Sequence, residues 1–385
     1  MQAVILAAGE GKRVRPLTRN RPKALIPVAN APILDYPVHA LLESGIRDII
    51  VVVGYRQEHV LRHLNRMELP VKVVIQHKQL GTADALKCAA ELINEDFLVL
   101  PGDNYIDGTS IRRVAGEVNA MLVKQHPYPS NFGVVSMQDG TITGITEKPE
   151  KTESFTISTG IASLTPDFLD YICTNDLTDA YNEMIRQGGT LRAVPADDWQ
   201  DAVYPWDLLH MNRRLLETIP GSIAGTVGRD AVIGGLVRVE KGTTIGSHTV
   251  IQGPVIIGEE CEIGPHCCIM PGTSIGDRVV VEPFTVVSNS ILMKDVTTGS
   301  HSRIDGAVVG ERSILGSHTT VLPSPTLLEI ERALMKVNFG AVIGDQVTAG
   351  PFTVFEGAIV GNNVRINGNV RVRGLSAAVD SALVI

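Results

Sequence analysis

At 385 residues the chain exceeds what one hydrophobic core usually organises, so two domains are the starting expectation. A composition of 44% hydrophobic and 20% charged residues excludes an intrinsically disordered chain, and 37 glycines beside 4% aromatics point to a part built from small repeated turns. A net charge of −8 removes support for wholesale nucleic-acid binding, so a phosphate ligand must be met by a local cluster of positive charge.

The first apolar run, Val4–Leu6, is too short to span a membrane and is soon followed by charge. No basic segment or cleavage signal precedes it. It reads as a buried strand of a cytoplasmic protein with no membrane partner. Cys88, Cys173, Cys261, Cys267 and Cys268 form no CxxC pair and no disulfide-like framework, which agrees with that compartment. Further strands are expected at Ile49–Val53, Val71–Ile75 and Phe97–Leu100, and helices at Ile33–Ser44, Gln57–Asn65, Thr82–Ile93 and Trp206–Leu216. Strand and helix in alternation predict an open, largely parallel α/β sheet, whose ligands bind beyond the carboxyl ends of the strands.

From about residue 223 the period becomes six. Val227, Ile233, Val239, Ile245, Ile251, Ile257, Ile263, Ile269, Ile275, Val281 and Val287 are evenly spaced aliphatics, and small or β-branched residues such as Thr243, Cys261 and Thr273 follow four places later. One aliphatic per hexapeptide predicts a triangular parallel β-helix with a short strand on each face. Cys261 and Cys267, at equivalent inward positions of successive hexapeptides, are expected to be packed core thiols and not metal ligands. The register falters near Met293, returns at Val309, Leu315 and Val321, breaks over Pro323–Asn338, and resumes through Val354, Val360, Ile366 and Val372. Thr326–Lys336 carries a helical pattern, so a loop or short helix is expected there. The domains are placed at 1–220 and 221–385.

The chemistry gathers after the strands of the first half. Leu6-Ala7-Ala8-Gly9-Glu10-Gly11-Lys12-Arg13 follows the first strand, and Lys12–Lys23 holds six basic residues and no acid. Small residues let backbone N–H groups approach a polyphosphate, and the cations make a local anion trap. The loop is neither a Walker A motif nor a full GxGxxG. Downstream come Arg21-Pro22-Lys23-Ala24-Leu25, then Gln76 with Leu80-Gly81-Thr82-Ala83-Asp84-Ala85, then Pro101-Gly102-Asp103. Asn131-Phe132-Gly133, Glu147-Lys148-Pro149 and Tyr204-Pro205-Trp206-Asp207 complete the series.

Taken in that order, these motifs make residues 1–218 resemble the sugar-1-phosphate nucleotidylyltransferase family. The resemblance implies a Rossmann-like nucleotidyltransferase sheet, with a nucleoside triphosphate and a sugar 1-phosphate as substrates. It places the nucleotide on Leu6, Ala8, Gly9, Gly11, Gln76, Gly81 and Thr82. Catalysis would fall to Arg13, Lys23 and Asp103, with Mg2+ on Asp103 and Asp207, and the sugar on Gly133, Glu147, Lys148 and Thr159. Ser158-Thr159-Gly160 stands where the family often has an asparagine, which leaves the sugar less defined than the reaction.

The whole chain is similar to proteins that join this domain to a hexapeptide-repeat left-handed parallel β-helix and assemble as homo-oligomers. Bifunctional members acetylate glucosamine 1-phosphate from acetyl-CoA on that helix. Here Ser300-His301-Ser302-Arg303 and Leu315-Gly316-Ser317-His318 depart from the acetyltransferase pattern. The main expectation is therefore transfer from dTTP or UTP, with glucose 1-phosphate the first acceptor and N-acetylglucosamine 1-phosphate the second. The bifunctional reading and a non-catalytic sensor remain as alternatives.

Overall fold

The computed structural model describes residues 1–67, 71–330, 333–377 and 379–384. Its residues fall into two units: Met1–Glu10, Arg21–Leu25 and Pro32–Asp201 form the first, and Gly11–Asn20, Ile26–Ala31 and Ala202–Ile385 the second.

In the first unit the strands are β1 (Gln2–Ala7), β2 (Asp48–Val53), β3 (Val71–Ile75), β4 (Phe97–Pro101), β5 (Asn104–Ile106) and β6 (Ala120–Gln125). They continue as β7 (Gly133–Gln138), β8 (Thr141–Glu147), β9 (Thr156–Leu164), β10 (Arg192–Pro195) and β11 (Trp199–Asp201). The main sheet runs β3-β2-β1-β4-β9-β6-β10-β8-β7. β3, β2, β1 and β4 are parallel neighbours, and β9 joins antiparallel. The helices are α1 (Asp35–Glu43), α2 (Gln57–Arg66), α3 (Thr82–Cys88), α4 (Gly108–Ala115) and α5 (Leu177–Arg186).

The central strands are apolar throughout because both of their faces are buried. Ala3, Ile5 and Ala7 pack on one side with Leu34, Val38 and Leu41, whereas Val4 packs on the other with Ala83, Leu86 and Phe97. β1 lies between β2 and β4, so the chain turns back to opposite sides of it. A crevice at the carboxyl ends of β1 and β4 is therefore where a ligand is expected in such a sheet. α4 starts where Asp107 Oδ2 accepts from the Thr109 and Ser110 amides at 2.9 and 3.1 Å.

Beyond residue 202 the second unit forms α6 (Asp207–Leu216) and then winds into the β-helix. Parallel ladders pair Val239 with Ile257, Ile257 with Ile275, and Ile245 with Ile263, so equivalent aliphatics stack one coil apart. These side chains fill a continuous core with Thr243, Thr249, Cys261 and Cys267, all fully buried.

The faltering near Met293 has a local cause. Ile275 pairs with Leu292, one residue earlier than an eighteen-residue coil requires. At this corner Pro271-Gly272 in one coil gives way to the single Asn289 in the next, with φ of 43°, and then to Gly306 with φ of 65°. One residue in the left-handed region turns a corner that elsewhere takes two. The aliphatic moves from Met293 to Leu292 and the spacing of six resumes.

Within Thr326–Lys336, where a loop or short helix is expected, the described residues are strand and not helix. Ser324–Ile330 and Ala333–Phe339 pair antiparallel as a hairpin inserted in the coil. Leu327 and Leu328 lie on opposite faces of a strand: Leu328 is 1% exposed and Leu327 64%. At the hairpin's base Phe339 stacks on Trp206, with ring centroids 5.3 Å apart, and Trp206 stacks on Tyr204 at 5.1 Å.

The Cys261 and Cys267 thiols contact the carbonyls of Gly276 and Glu282 at 3.0 and 3.2 Å, and burial pushes both thiols up. Cys173 is exposed. A thiol-exchange reagent is thus expected to label Cys173 in the native protein and to reach Cys261 and Cys267 only after denaturation, read by peptide mass spectrometry. Labelling of Cys261 in the folded protein would contradict this packing.

Candidate active site

β4 ends in Pro101-Gly102-Asp103 against β1. The Gly102 amide donates to Leu6 O at 2.8 Å, and a Cβ at Gly102 would lie 2.8 Å from Ala7 Cβ. Only glycine lets the chain pass this close before it presents Asp103. The following strand β5 pairs antiparallel with β11, which sets Asn104 opposite Asp201. That pairing brings Asp201 beside Asp103.

Lys23 binds both. Its Nζ lies 2.8 Å from Asp103 Oδ2 and 2.8 Å from Asp201 Oδ1. The backbone beside it is fixed, since Ala24 O accepts from the Leu34 amide at 2.9 Å. Burial alone would lower the Lys23 pKa, but the two carboxylates outweigh it and hold the ammonium charged well above the usual lysine range. Two converging carboxylates supply hard oxygen donors of the kind Mg2+ takes, and that ion commonly uses one or two of them and fills its remaining positions with water and phosphate oxygens. Among the described residues no group of three or more His, Cys, Asp or Glu side chains is placed to hold a metal. Asp103 and Asp201 are a donor pair of the kind that Mg2+ shared with a phosphate substrate would take.

A second cluster lies at the end of β3. Gln76, 3% exposed, donates Nε2 to Gly81 O at 3.1 Å and to Asp84 Oδ2 at 2.7 Å. The turn before α3 is locked from the other side. Ala83 N donates to Asn175 O at 2.9 Å and Leu177 N to Thr82 Oγ1 at 3.1 Å. Gly9, in the turn after β1, has nothing within 4 Å of where a Cβ would sit. Ala8 is buried, and its carbonyl accepts from the Tyr55 amide at 2.9 Å.

The sugar-side candidates meet at the β7–β8 ladder, where Gly133 pairs with Glu147. A Cβ at Gly133 would lie 3.2 Å from Glu147 Oε2, so glycine leaves room for the carboxylate. Lys148, with φ of 43°, turns out of the ladder, and its Nζ reaches Glu147 Oε1 at 2.8 Å. Thr159 is placed differently. It is 2% exposed and donates its hydroxyl to Leu122 O at 2.8 Å, so that side chain is committed to the bulge in β9.

Gly11, Arg13 and Asp207 belong to the second unit. Gly11, at φ of 73°, leads into a short 3-10 turn, Lys12–Val14, that carries Arg13. Asp207 opens α6, and its Oδ2 accepts from the Tyr204 amide at 2.8 Å. The carboxylate that sits with Asp103 on Lys23 is Asp201, which the motif reading passed over. Its signal was the strand Trp199-Gln200-Asp201 just ahead of the more conspicuous Tyr204–Asp207 segment.

Comparison with known families places the chain. Residues 2–218 match the Nucleotidyl transferase family and residues 251–379 the GMPPB C-terminal domain. The chain is 37% identical to a "Bifunctional protein GlmU" of Methanococcus maripaludis, over 96% of this chain and 94% of that protein. It is 30% identical to a glucose-1-phosphate thymidylyltransferase of Streptomyces griseus, over 87% of this chain and 97% of that one. The UTP--glucose-1-phosphate uridylyltransferase AglF of Haloferax volcanii is 34% identical over 56% of this chain and 97% of its own length. The chain belongs to the sugar-1-phosphate nucleotidylyltransferase family, and it is an enzyme of that class. Among the described residues no helix is long and apolar enough to cross a membrane.

Proposed function

We propose that this enzyme transfers a nucleotidyl group from dTTP or UTP to glucose 1-phosphate with Mg2+, forming a nucleotide sugar and releasing pyrophosphate. The observation that carries the reading is the charged Lys23 held between Asp103 and Asp201 at the end of β4. A phosphate oxygen of the sugar 1-phosphate attacks the α-phosphorus. The new P–O bond forms as the bond to the bridging oxygen breaks, and pyrophosphate leaves with that electron pair. The protein's part is positioning and charge neutralisation. Lys23 meets the attacking phosphate and Arg13 the departing pyrophosphate. Asp103 and Asp201 would hold the magnesium, which when bound neutralises charge on the transferring phosphate. Glu147 accepts from sugar hydroxyls, beside Lys148.

The base preference follows from hydrogen-bond chemistry. The Gln76 amide N–H groups are committed to Gly81 and Asp84, which leaves the side-chain oxygen as an acceptor. Uracil and thymine offer a ring N–H to it, whereas cytosine has a bare ring nitrogen at that edge. The names of the Haloferax and Streptomyces relatives support glucose 1-phosphate and a pyrimidine nucleotide.

One observation favours a second activity: a protein named bifunctional aligns along nearly the whole chain. Acetyl transfer would then belong to the β-helix. His301 and His318, its candidate bases, are exposed rungs of a ring column that runs His248, His266, Phe284, His301, His318, Phe352, with successive centroids 4.6–5.1 Å apart.

Pyrophosphate release is the test, scanning dTTP, UTP, CTP, ATP and GTP against glucose, N-acetylglucosamine and glucosamine 1-phosphates. Turnover with UTP or dTTP and glucose 1-phosphate, stopped by EDTA and restored by Mg2+, is expected. Acetyl-CoA consumption with glucosamine 1-phosphate would establish the second activity. Silence of the folded protein across the panel would overturn catalysis in favour of a sensor.

A further inference from the structure

Three side chains in the last coils of the β-helix occupy the same corner on successive turns: Asp345, Asn362 and Asp380. Each caps the coil before it. Asp345 Oδ1 accepts from the Glu311 amide at 2.9 Å, Asn362 Oδ1 from the Asp345 amide at 2.7 Å, and Asp380 Oδ1 from the Asn362 amide at 2.7 Å. Earlier in the helix Asp277 Oδ1 does the same for the Glu259 amide at 2.9 Å. The cap needs one polar atom of each side chain.

The second polar atom of each points at the basic loop. Asn362 Nδ2 donates to Pro16 O at 3.2 Å, Asp345 Oδ2 accepts from Asn20 Nδ2 at 3.0 Å, and Asp380 Oδ2 pairs with Arg19 Nε at 2.9 Å. Asp345 and Asn362 are 3% and 2% exposed, and the Asn362–Pro16 bond is itself buried. Within the loop Thr18 Oγ1 donates to Gly11 O at 2.9 Å, and Val14 N donates to the same carbonyl at 3.0 Å. The contacts at Pro16, Arg19 and Asn20 are thereby linked through the loop's own bonds to the turn that carries Lys12 and Arg13.

We propose that Asp345, Asn362 and Asp380 are positioning residues for nucleotidyl transfer. They hold the Gly11–Asn20 loop in the one conformation that presents its cations to the triphosphate, so the last coils of the β-helix are part of the nucleotide machinery. The inference rests on the reading of that loop as the polyphosphate site. A displacement of about 1 Å in such a group costs on the order of 10²-fold in rate.

The two roles of each side chain can be separated. Asn362→Asp keeps an oxygen for the Asp345 amide but replaces the donor to Pro16 O with a second acceptor. In the intact chain this variant is expected to stay folded with a lowered melting temperature, since it buries a carboxylate against a carbonyl, while kcat/KM for the nucleoside triphosphate falls roughly 10- to 100-fold and the KM for sugar 1-phosphate stays unchanged. Asn20→Ala, which removes the loop's side of the Asp345 contact, is expected to shift the same constant in the same direction. Asp277→Asn, at the equivalent corner of a coil outside the set that holds the loop, serves as the control and is expected to leave kinetics unaltered. Wild-type constants in both Asn362→Asp and Asn20→Ala would overturn the proposal while leaving nucleotidyl transfer intact. A wild-type enzyme silent on every substrate pair would instead overturn the functional reading, and this one with it.

Discussion

Lys23→Met is expected to lower kcat/KM for nucleotidyl transfer by about 10³-fold, the range seen when a preorganised charge is removed from a developing phosphate or oxyanion. The loss has two parts. The ammonium no longer meets the attacking phosphate, and Asp103 and Asp201 are left facing each other without the cation that sits 2.8 Å from both. Removing one partner of a fully buried pair costs about 3–5 kcal/mol of stability. The Asp103 side chain is 35% exposed, so solvent screening reduces that cost here. Because folding raises the lysine's pKa, its stabilisation is complete below the ordinary lysine value and is lost only as pH climbs through the raised one.

Asp103→Asn should match Lys23→Met in activity. Asp201→Asn should fall as far, whereas Asp207→Asn, whose carboxylate accepts the Tyr204 amide at 2.8 Å, should lose much less. Single-turnover rates at saturating magnesium check all four. An Asp201→Asn enzyme with wild-type rates would return the second metal position to Asp207.

Gly81→Ala is the other large effect. An added Cβ would sit 2.1 Å from Asn175 O, at a φ of 153° that side chains rarely adopt. Neither partner can retreat freely, because Asn175 O accepts the Ala83 amide at 2.9 Å and Leu177 N donates to Thr82 Oγ1 at 3.1 Å. The backbone strain alone is worth about 1–3 kcal/mol. Relief by moving Gly81 pulls away the carbonyl that holds the Gln76 amide. The expected result is a lowered denaturation midpoint together with at least a roughly tenfold rise in KM for the nucleotide, a loss of about one hydrogen bond's worth of base recognition. Gly9→Ala separates the two effects, since nothing lies within 4 Å of its added carbon and stability should hold. Equal destabilisation by both substitutions would show that the Asn175 contact is not the cause.

The elements legible from residues alone were those whose signal is local. β1 and β2 read as unbroken apolar runs because both faces of each strand are buried, and the hexapeptide repeat read directly because each coil stacks its aliphatic on the next. The hairpin at Ser324–Phe339 is not legible in the sequence because adjacent leucines break the alternation that marks a half-buried strand, and only the pairing partner reveals it. The corner at Asn289 was invisible for a related reason: a left-handed φ is a property of the coil packed beside it and not of asparagine alone.

In the candidate site the same division holds. Asp103 and Gln76 stand just past strands that apolar runs already mark, whereas Lys23 and Gly81 are singled out by the resemblance of their short motifs to the family's. Asp201 joins Asp103 only through the antiparallel pairing of β5 with β11, and Thr159 turns inward only because the bulge in β9 puts Leu122 O within its reach. The basic loop is one unbroken stretch of sequence, yet residues Gly11–Asn20 pack with the coils that follow residue 340, held by Asp345, Asn362 and Asp380. Strand identity, the repeat and the charge of the loop depend on neighbours a few residues away, and the sequence by itself determined them. Which carboxylates converge, and what holds the loop, depend on residues far apart in the chain, and only the tertiary structure could decide them.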